Sequence, residues 1–105
     1  MTLKRTLLST AIVALLGTAG VSWADGNIQA GKAKAGSCAM CHGANGEGSG
    51  SGPALAGMKE DKIEQAMKDF KSGKRTNPTM KTFANQLSSA DVENVAAYYA
   101  SLKGK

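Results

Sequence analysis

Apolar residues recur at helical spacing along the second half of the chain, and nowhere do they alternate as a strand would. Ile63, Ala66, Met67 and Phe70 stand at i, i+3, i+4 and i+7, which predicts an amphipathic helix over Glu60 to Lys71. Its charges follow the helix dipole, with Glu60, Asp61 and Glu64 early and Lys68 and Lys71 late, and Gly73 is placed to stop it. Met80, Phe83, Ala84 and Leu87 repeat the spacing over a shorter span, after a basic turn that runs from Lys74 to Thr79. Val92, Val95, Ala96, Tyr99 and Leu102 form the stripe of a last helix. Ser88 is its cap, and Asp91, at the third position, completes a near capping box. A shorter helix is expected over Asp25 to Ala35, capped by Asp25 or Asn27, with Ile28, Gly31, Lys32 and Ala35 on one face. Glycine is costly inside a helix, so Gly31 reads either as a place of close approach or as an ordinary glycine in a frayed helix. With no period-two run, hairpin signal or internal repeat, the expected fold is all-α.

Two stretches fall outside this pattern. The first opens with Lys4 and Arg5, continues through a mostly apolar run from Leu7 to Val21, and closes on Ser22-Trp23-Ala24. That is the layout of a cleavable secretory signal peptide over residues 1–24. The run is about 15 residues, short of the ~20 that span a bilayer, and Ser9, Thr10, Gly17, Thr18 and Gly20 interrupt it, so a membrane anchor is the poorer reading. Cleavage after Ala24 leaves a single domain over residues 25–105, exported and not anchored in the membrane. The second stretch, residues 43–57, is dense in glycine and serine and predicts a loop. It is no phosphate cradle: no Gly-Lys-Ser/Thr follows it, and Ser51 and Pro53 break the Gly-x-Gly-x-x-Gly register.

Composition enters once the signal is set aside. Of 13 basic and 8 acidic residues, Lys4 and Arg5 leave with it, and the net charge falls from +5 to +3. That surplus is small, no recognisable nucleic-acid module accompanies it, and nucleic-acid binding is excluded on that ground. The remaining aromatics are Phe70, Phe83, Tyr98 and Tyr99, a thin supply for the core of so small a domain.

Both cysteines and the only histidine lie within five residues, Cys38-Ala39-Met40-Cys41-His42. C-x-x-C-H is the attachment pattern of a c-type haem: two thiols two residues apart reach neighbouring vinyl groups, and the next imidazole ligates the iron. A thioredoxin-like couple would need a βαβ surround, and a structural zinc site a fourth ligand. A haem would also add the apolar bulk that the side chains lack, whereas a Cys38–Cys41 disulfide closes too small a loop to stabilise much.

The run AGKAKAGSCAMCHG at residues 30–43, GPALAG at 52–57, NPTM at 77–80 and the helix from Leu87 to Leu102 together resemble a class I cytochrome c, of the short monohaem kind found in the bacterial periplasm. The resemblance covers essentially the whole of residues 25–105, in order. It implies a small all-α fold wrapped around one haem c, held by thioethers at Cys38 and Cys41. His42 would be the proximal ligand, steadied by the Pro53 carbonyl, and Met80 the distal ligand. Gly31 would lie where the first and last helices cross, near Tyr98 and Tyr99. Among the other methionines, Met40 is pinned between the cysteines, Met58 lies too close to Pro53 to round the cofactor, and Met67 belongs to an apolar stripe. Met80 follows Asn77-Pro78-Thr79, read as a turn able to aim one side chain. The implied role is a monomeric electron carrier with no catalytic residues, exchanging electrons with redox-partner proteins. Seven basic residues (Lys59, Lys62, Lys68, Lys71, Lys74, Arg75 and Lys81) form either a solvated face or a docking surface for an acidic partner. Competing classes are a haem enzyme or gas sensor with an open sixth position, a haem-free thiol–disulfide protein, and a subunit of a larger oxidoreductase.

Overall fold

The computed structural model describes residues 26–104. The expected signal peptide, residues 1–24, lies outside the described residues. Five α-helices follow one another: α1 (Ile28–Lys34), α2 (Ala39–His42), α3 (Glu60–Ser72), α4 (Pro78–Gln86) and α5 (Ser89–Ser101), with a 3-10 turn at Ala35–Ser37 between the first two. Among the described residues there is no β-strand, only an isolated bridge between Ser49 and Gly52 in the loop after α2. No helix among them is long and apolar enough to cross a membrane.

The central element is α5, which packs against α1 and against α3, while α4 leans on α3. Its start is set locally. Ser88 Oγ accepts from the Asp91 N–H at 3.0 Å and an Asp91 carboxylate oxygen accepts from the Ser88 N–H at 3.1 Å, a full capping box. The Ser88 N–H, more than Lys34 at 3.6 Å, holds the Asp91 carboxyl below the usual carboxylate range. That contribution is present above pH ~4 and is lost as the pH falls through the depressed value. A cap is worth about 1 kcal/mol, whereas each fully buried large side chain contributes about 1.5–3 kcal/mol, so packing and not capping holds α5 in place. Val95, Ala96, Ala97, Tyr98 and Tyr99 are all buried. The sequence stripe missed Ala97 and Tyr98, because a single stripe assumes one packed face and α5 is covered on two. Val92 and Leu102 lie half-buried at the edges of the core, and Leu102 caps the helix from outside it.

Two boundaries differ from the sequence expectation. The first helix begins at Ile28, with Asn27 as its cap, since Asn27 Oδ1 accepts from the Ala30 N–H at 2.8 Å. Its inward face is Gly31 alone, continued by Ala35 in the following turn. Ile28 and Lys32 are exposed because α1 meets α5 along a narrow line of small residues. At Gly31 the close approach is real: a Cβ there would run into the Asn94 carbonyl and lie 2.9 Å from Tyr98 Cβ. The Asn27 N–H donates to Asn94 Oδ1 at 2.7 Å and ties the start of α1 to the same place. The second difference is at Asn77-Pro78-Thr79, which is the start of α4 and not a free turn. Asn77 Oδ1 accepts from the Met80 N–H at 3.0 Å and Pro78 occupies the first helical position, where its missing N–H costs nothing. By contrast Gly73 ends α3 as expected, in a left-handed conformation with φ 88°.

The crossing gives the first test. Gly31→Ala must push α1 off the α5 backbone and should destabilise the fold by about 1–3 kcal/mol or more in denaturant titration. Gly36→Ala, with nothing within 4 Å of the added methyl group, should be neutral or slightly stabilising.

Candidate cofactor-attachment site

The site grows out of the end of α1. The 3-10 turn delivers Cys38, whose carbonyl accepts from the Cys41 N–H at 3.2 Å and the His42 N–H at 2.9 Å, so that α2 is a single helical turn. Both thiols come from that one turn, half-buried and unbridged. His42 is buried, 8 % exposed, and Met40 between the cysteines is 84 % exposed. No group of three or more His, Cys, Asp or Glu side chains among the described residues is placed to hold a metal ion by itself.

A helix of one turn leaves its carbonyls unpaired, and the glycine-rich loop supplies their donors. The Gly48 N–H donates to the His42 carbonyl at 2.7 Å, and Ser49 Oγ donates to the Cys41 carbonyl at 2.6 Å. Further on, the Leu55 and Ala56 N–H groups both reach the Gly46 carbonyl, at 2.8 and 2.9 Å. The loop therefore folds back on α2 as a built element, and its return leg carries Pro53. There His42 Nδ1 lies 2.7 Å from the Pro53 carbonyl oxygen. A carbonyl only accepts, so Nδ1 is the protonated nitrogen and Nε2 keeps the lone pair that a ligand needs. Pro53 has no N–H to divert, and its ring is exposed; its backbone oxygen is the functional group.

Gly52 completes the cradle. A Cβ there would lie 3.0 Å from His42 Nδ1, His42 Cε1 and the Cys41 carbonyl oxygen. Ser49 is not singled out by the sequence pattern, where it belongs to a uniform Gly/Ser run, and Gly52 enters there only as the first residue of GPALAG, with no role of its own. A serine eight residues after Cys41 has no meaning until the loop is closed.

Burial pushes the Cys38 thiol up from its ordinary range, against hydrogen bonds from Tyr99 and Ser37 that pull it down. Sequence reasoning placed Tyr99 only in the core, yet Cys38 packs against the core cluster to which Tyr99 belongs. Met80 is half-buried and packs against the core, as do Leu55, Met58, Phe70 and Leu87. The structure thus joins His42 to Pro53, while Cys38 and Met80 are related through the core cluster that both border. Met67 is buried within that core, in keeping with a packing role.

These residues fit a c-type haem. Two unbridged thiols are offered from one turn, the neighbouring imidazole has one nitrogen fixed and the other available, and no side chain at Gly52 fills the space beside the ring.

A model of the family described as cytochrome c matches residues 28–103. The chain is 40 % identical over 97 residues to cytochrome c4 of Pseudomonas aeruginosa, covering 91 % of this chain and 48 % of that protein. It is 37 % identical over 103 residues to a thiosulfate dehydrogenase electron acceptor of Thiomonas intermedia, covering 96 % of this chain and 45 % of that protein. It therefore spans about half the length of these curated relatives. Among solved structures, cytochrome c4 of Acidithiobacillus ferrooxidans superposes with a TM-score of 0.70 at 33 % identity, over 77 % of this chain and 53 % of that one.

The cradle around the imidazole is testable by itself. Gly52→Ala should displace the His42 ring by a few tenths of an ångström, weaken its bond to Pro53 and broaden or shift the Nδ1–H resonance in NMR spectra. An unmoved resonance would contradict the tight packing at Gly52.

Proposed function

The chain belongs to the cytochrome c family, and on that footing we propose that it is a periplasmic carrier of single electrons whose iron is held between His42 and Met80. Membership brings a covalently attached haem c, for which Cys38 and Cys41 stand in the C-x-x-C-H pattern. When bound, that group supplies a ferric–ferrous couple, and a methionine opposite a histidine raises its potential. The observation that carries the reading is the 2.7 Å bond between His42 Nδ1 and the Pro53 carbonyl, which orients the imidazole and raises its basicity as a ligand.

The chain's own residues do the rest. Cys38 and Cys41 fix the cofactor to the fold, and the loop from Gly43 to Pro53 keeps the ring of His42 from turning. Met80 is the methionine this reading selects: Met40 faces solvent and Met67 fills the core, while Met80 sits in the first turn of a helix locked by Asn77 and Pro78. With His42 and Met80 both holding the iron, a substrate would find no open place there, and on this reading the chain exchanges electrons and has no catalytic residues of its own. Residues 1–24 serve as the export signal and are cut after Ala24. The relative described as an electron acceptor of thiosulfate dehydrogenase supports carriage. It also favours a narrower version in which the carrier serves one dehydrogenase as a subunit; co-elution with such an enzyme on a sizing column separates this from a free monomer.

Spectra and mass test the assignment together. The purified protein should have the mass of residues 25–105 plus one haem that survives denaturing electrophoresis, and a bare chain would overturn the reading. Met80→Ala should remove the weak charge-transfer band at the red end of the ferric spectrum, admit carbon monoxide and lower the midpoint potential. Met58→Ala and Met67→Ala should leave the band in place; the reverse pattern would mean the wrong methionine has been chosen.

Partner choice follows from charge. Lys59, Lys62, Lys68, Lys71, Lys74, Arg75 and Lys81 are all exposed, on α3, on α4 and on the segments beside them. We take this face as the docking surface for an acidic redox partner. Lys71 Nζ also donates to the Leu87 carbonyl at 3.4 Å, and the Arg75 guanidinium lies 4.6 Å from the centre of the Phe70 ring, so two of the seven are held by the fold. Steering by the face should make the bimolecular electron-transfer rate fall as salt rises, since screening shortens to ~10 Å at 0.1 M. A rate flat across ionic strength would reduce the seven residues to a solvated face.

A further inference from the structure

Ser49 is an exposed residue of the loop after α2, yet its hydroxyl group both donates and accepts within the fold. Its Oγ donates to the Cys41 carbonyl at 2.6 Å and accepts from the Ser51 N–H at 3.0 Å. Its backbone is paired as well. The Ser49 N–H donates to the Gly52 carbonyl at 2.8 Å, and the Gly52 N–H returns to the Ser49 carbonyl at 3.3 Å. Residues 49–52 are therefore a closed turn. The next residue is Pro53, whose carbonyl oxygen lies 2.7 Å from His42 Nδ1. Its ring fixes φ, so little freedom separates the turn from that oxygen.

Followed round, these bonds close a ring. It runs from the Cys41 carbonyl through the Ser49 hydroxyl, the turn and the Pro53 carbonyl to the imidazole, and back along the chain from His42 to Cys41. An attachment cysteine and the histidine are thus neighbours in one small circuit. The Gly48 N–H grips the His42 carbonyl at 2.7 Å one residue earlier, and the Ser49 side chain ties the turn itself to α2. We propose that Ser49 is a positioning residue for His42: its hydroxyl sets where the Pro53 carbonyl stands, and so how strongly Nδ1–H is bonded. This rests on the reading of His42 as the proximal ligand. A strong bond from Nδ1–H makes the imidazole a more basic donor, which favours ferric over ferrous iron. Ser49 acts through two backbone carbonyls, and its loss is felt at the iron as a rise in midpoint potential.

The test uses the haem-bearing protein and Ser49→Ala, with Ser49→Thr to restore the hydroxyl. Ser51→Ala is the control, since it keeps the backbone N–H through which Ser51 enters the network. Ser49→Ala should raise the midpoint potential and move the His42 Nδ1–H resonance of the ferrous protein upfield. Ser49→Thr and Ser51→Ala should match the parent in both. A Ser49→Ala protein that keeps its haem and loses stability alone, with potential and resonance unmoved, overturns the inference and leaves the ligand reading intact. A parent protein without covalent haem overturns the attachment reading instead, and the Nδ1–H resonance of the haem-free chain then serves as the readout. If Ser49→Ala fails to accumulate, hydrogen exchange in the parent decides. The Ser51 and Gly52 amides should be protected and open at the same rate as Nδ1–H of His42. An Nδ1–H that exchanges independently of those amides overturns the inference.

Discussion

The contact on which the rest depends is the crossing of α1 over α5 at backbone distance. At Gly31 the first helix touches the Asn94 carbonyl and the Tyr98 Cβ with no side chain between them. Only six residues separate Gly31 from Cys38, and they are helical or 3-10 throughout, so little slack remains. Where α1 crosses, Cys38 must land close to Tyr99, one residue beyond Tyr98 on the same helix. The attachment turn is thus positioned by a helix crossing and not by any preference of its own, which four residues of α-helix would be too short to express.

The second constraint is the open end of that turn. Short helices leave most of their carbonyls without partners, and α2 is nearly all terminus. The glycine-rich loop answers this by folding back, with Gly48 and Ser49 donating to the last two carbonyls of the turn. Pro53 then arrives beside the imidazole on the return leg. The same loop that ends the helix orients the histidine, so the bond that selects the nitrogen of His42 is a consequence of how α2 is terminated. Glycine is used at residue 52 for clearance around the ring, and at residue 46 to let the Tyr99 ring come close.

The division between faces is what the proposed docking surface draws on. The apolar sides of α3, α4 and α5 are spent on a core that Met67, Ala84 and Val95 close from three helices. The other sides of α3 and α4 carry exposed lysines, Lys62 and Lys68 on α3 and Lys81 on α4 among them. Electrostatic steering needs charges near the surface and free of strong local pairing, and these are the conditions the outer faces provide.

Much of this is legible in the amino-acid chain by itself. The periodic apolar residues determined α3, α4 and α5 because a face buried along a helix repeats every 3.6 residues, whatever happens on its other sides. The spacing of Cys38, Cys41 and His42 determined the site, since one helical turn brings all three to the same end whatever surrounds it. Local chemistry also set the ends: Gly73 stopped α3, and Ser88 with Asp91 started α5. What the tertiary structure alone decided involves residues far apart in sequence. It supplied the partner that Gly31 meets at the crossing, the Asn94 backbone more than sixty residues away. It buried Ala97 and Tyr98, since a second helix covered a face that one stripe cannot register. It gave the glycine- and serine-rich loop a defined path in which Ser49 meets the Cys41 carbonyl and Gly52 clears the His42 ring. Spacing along a chain reports what one helix does to itself; which carbonyl, ring or sulfur another segment meets is fixed only when the segments pack.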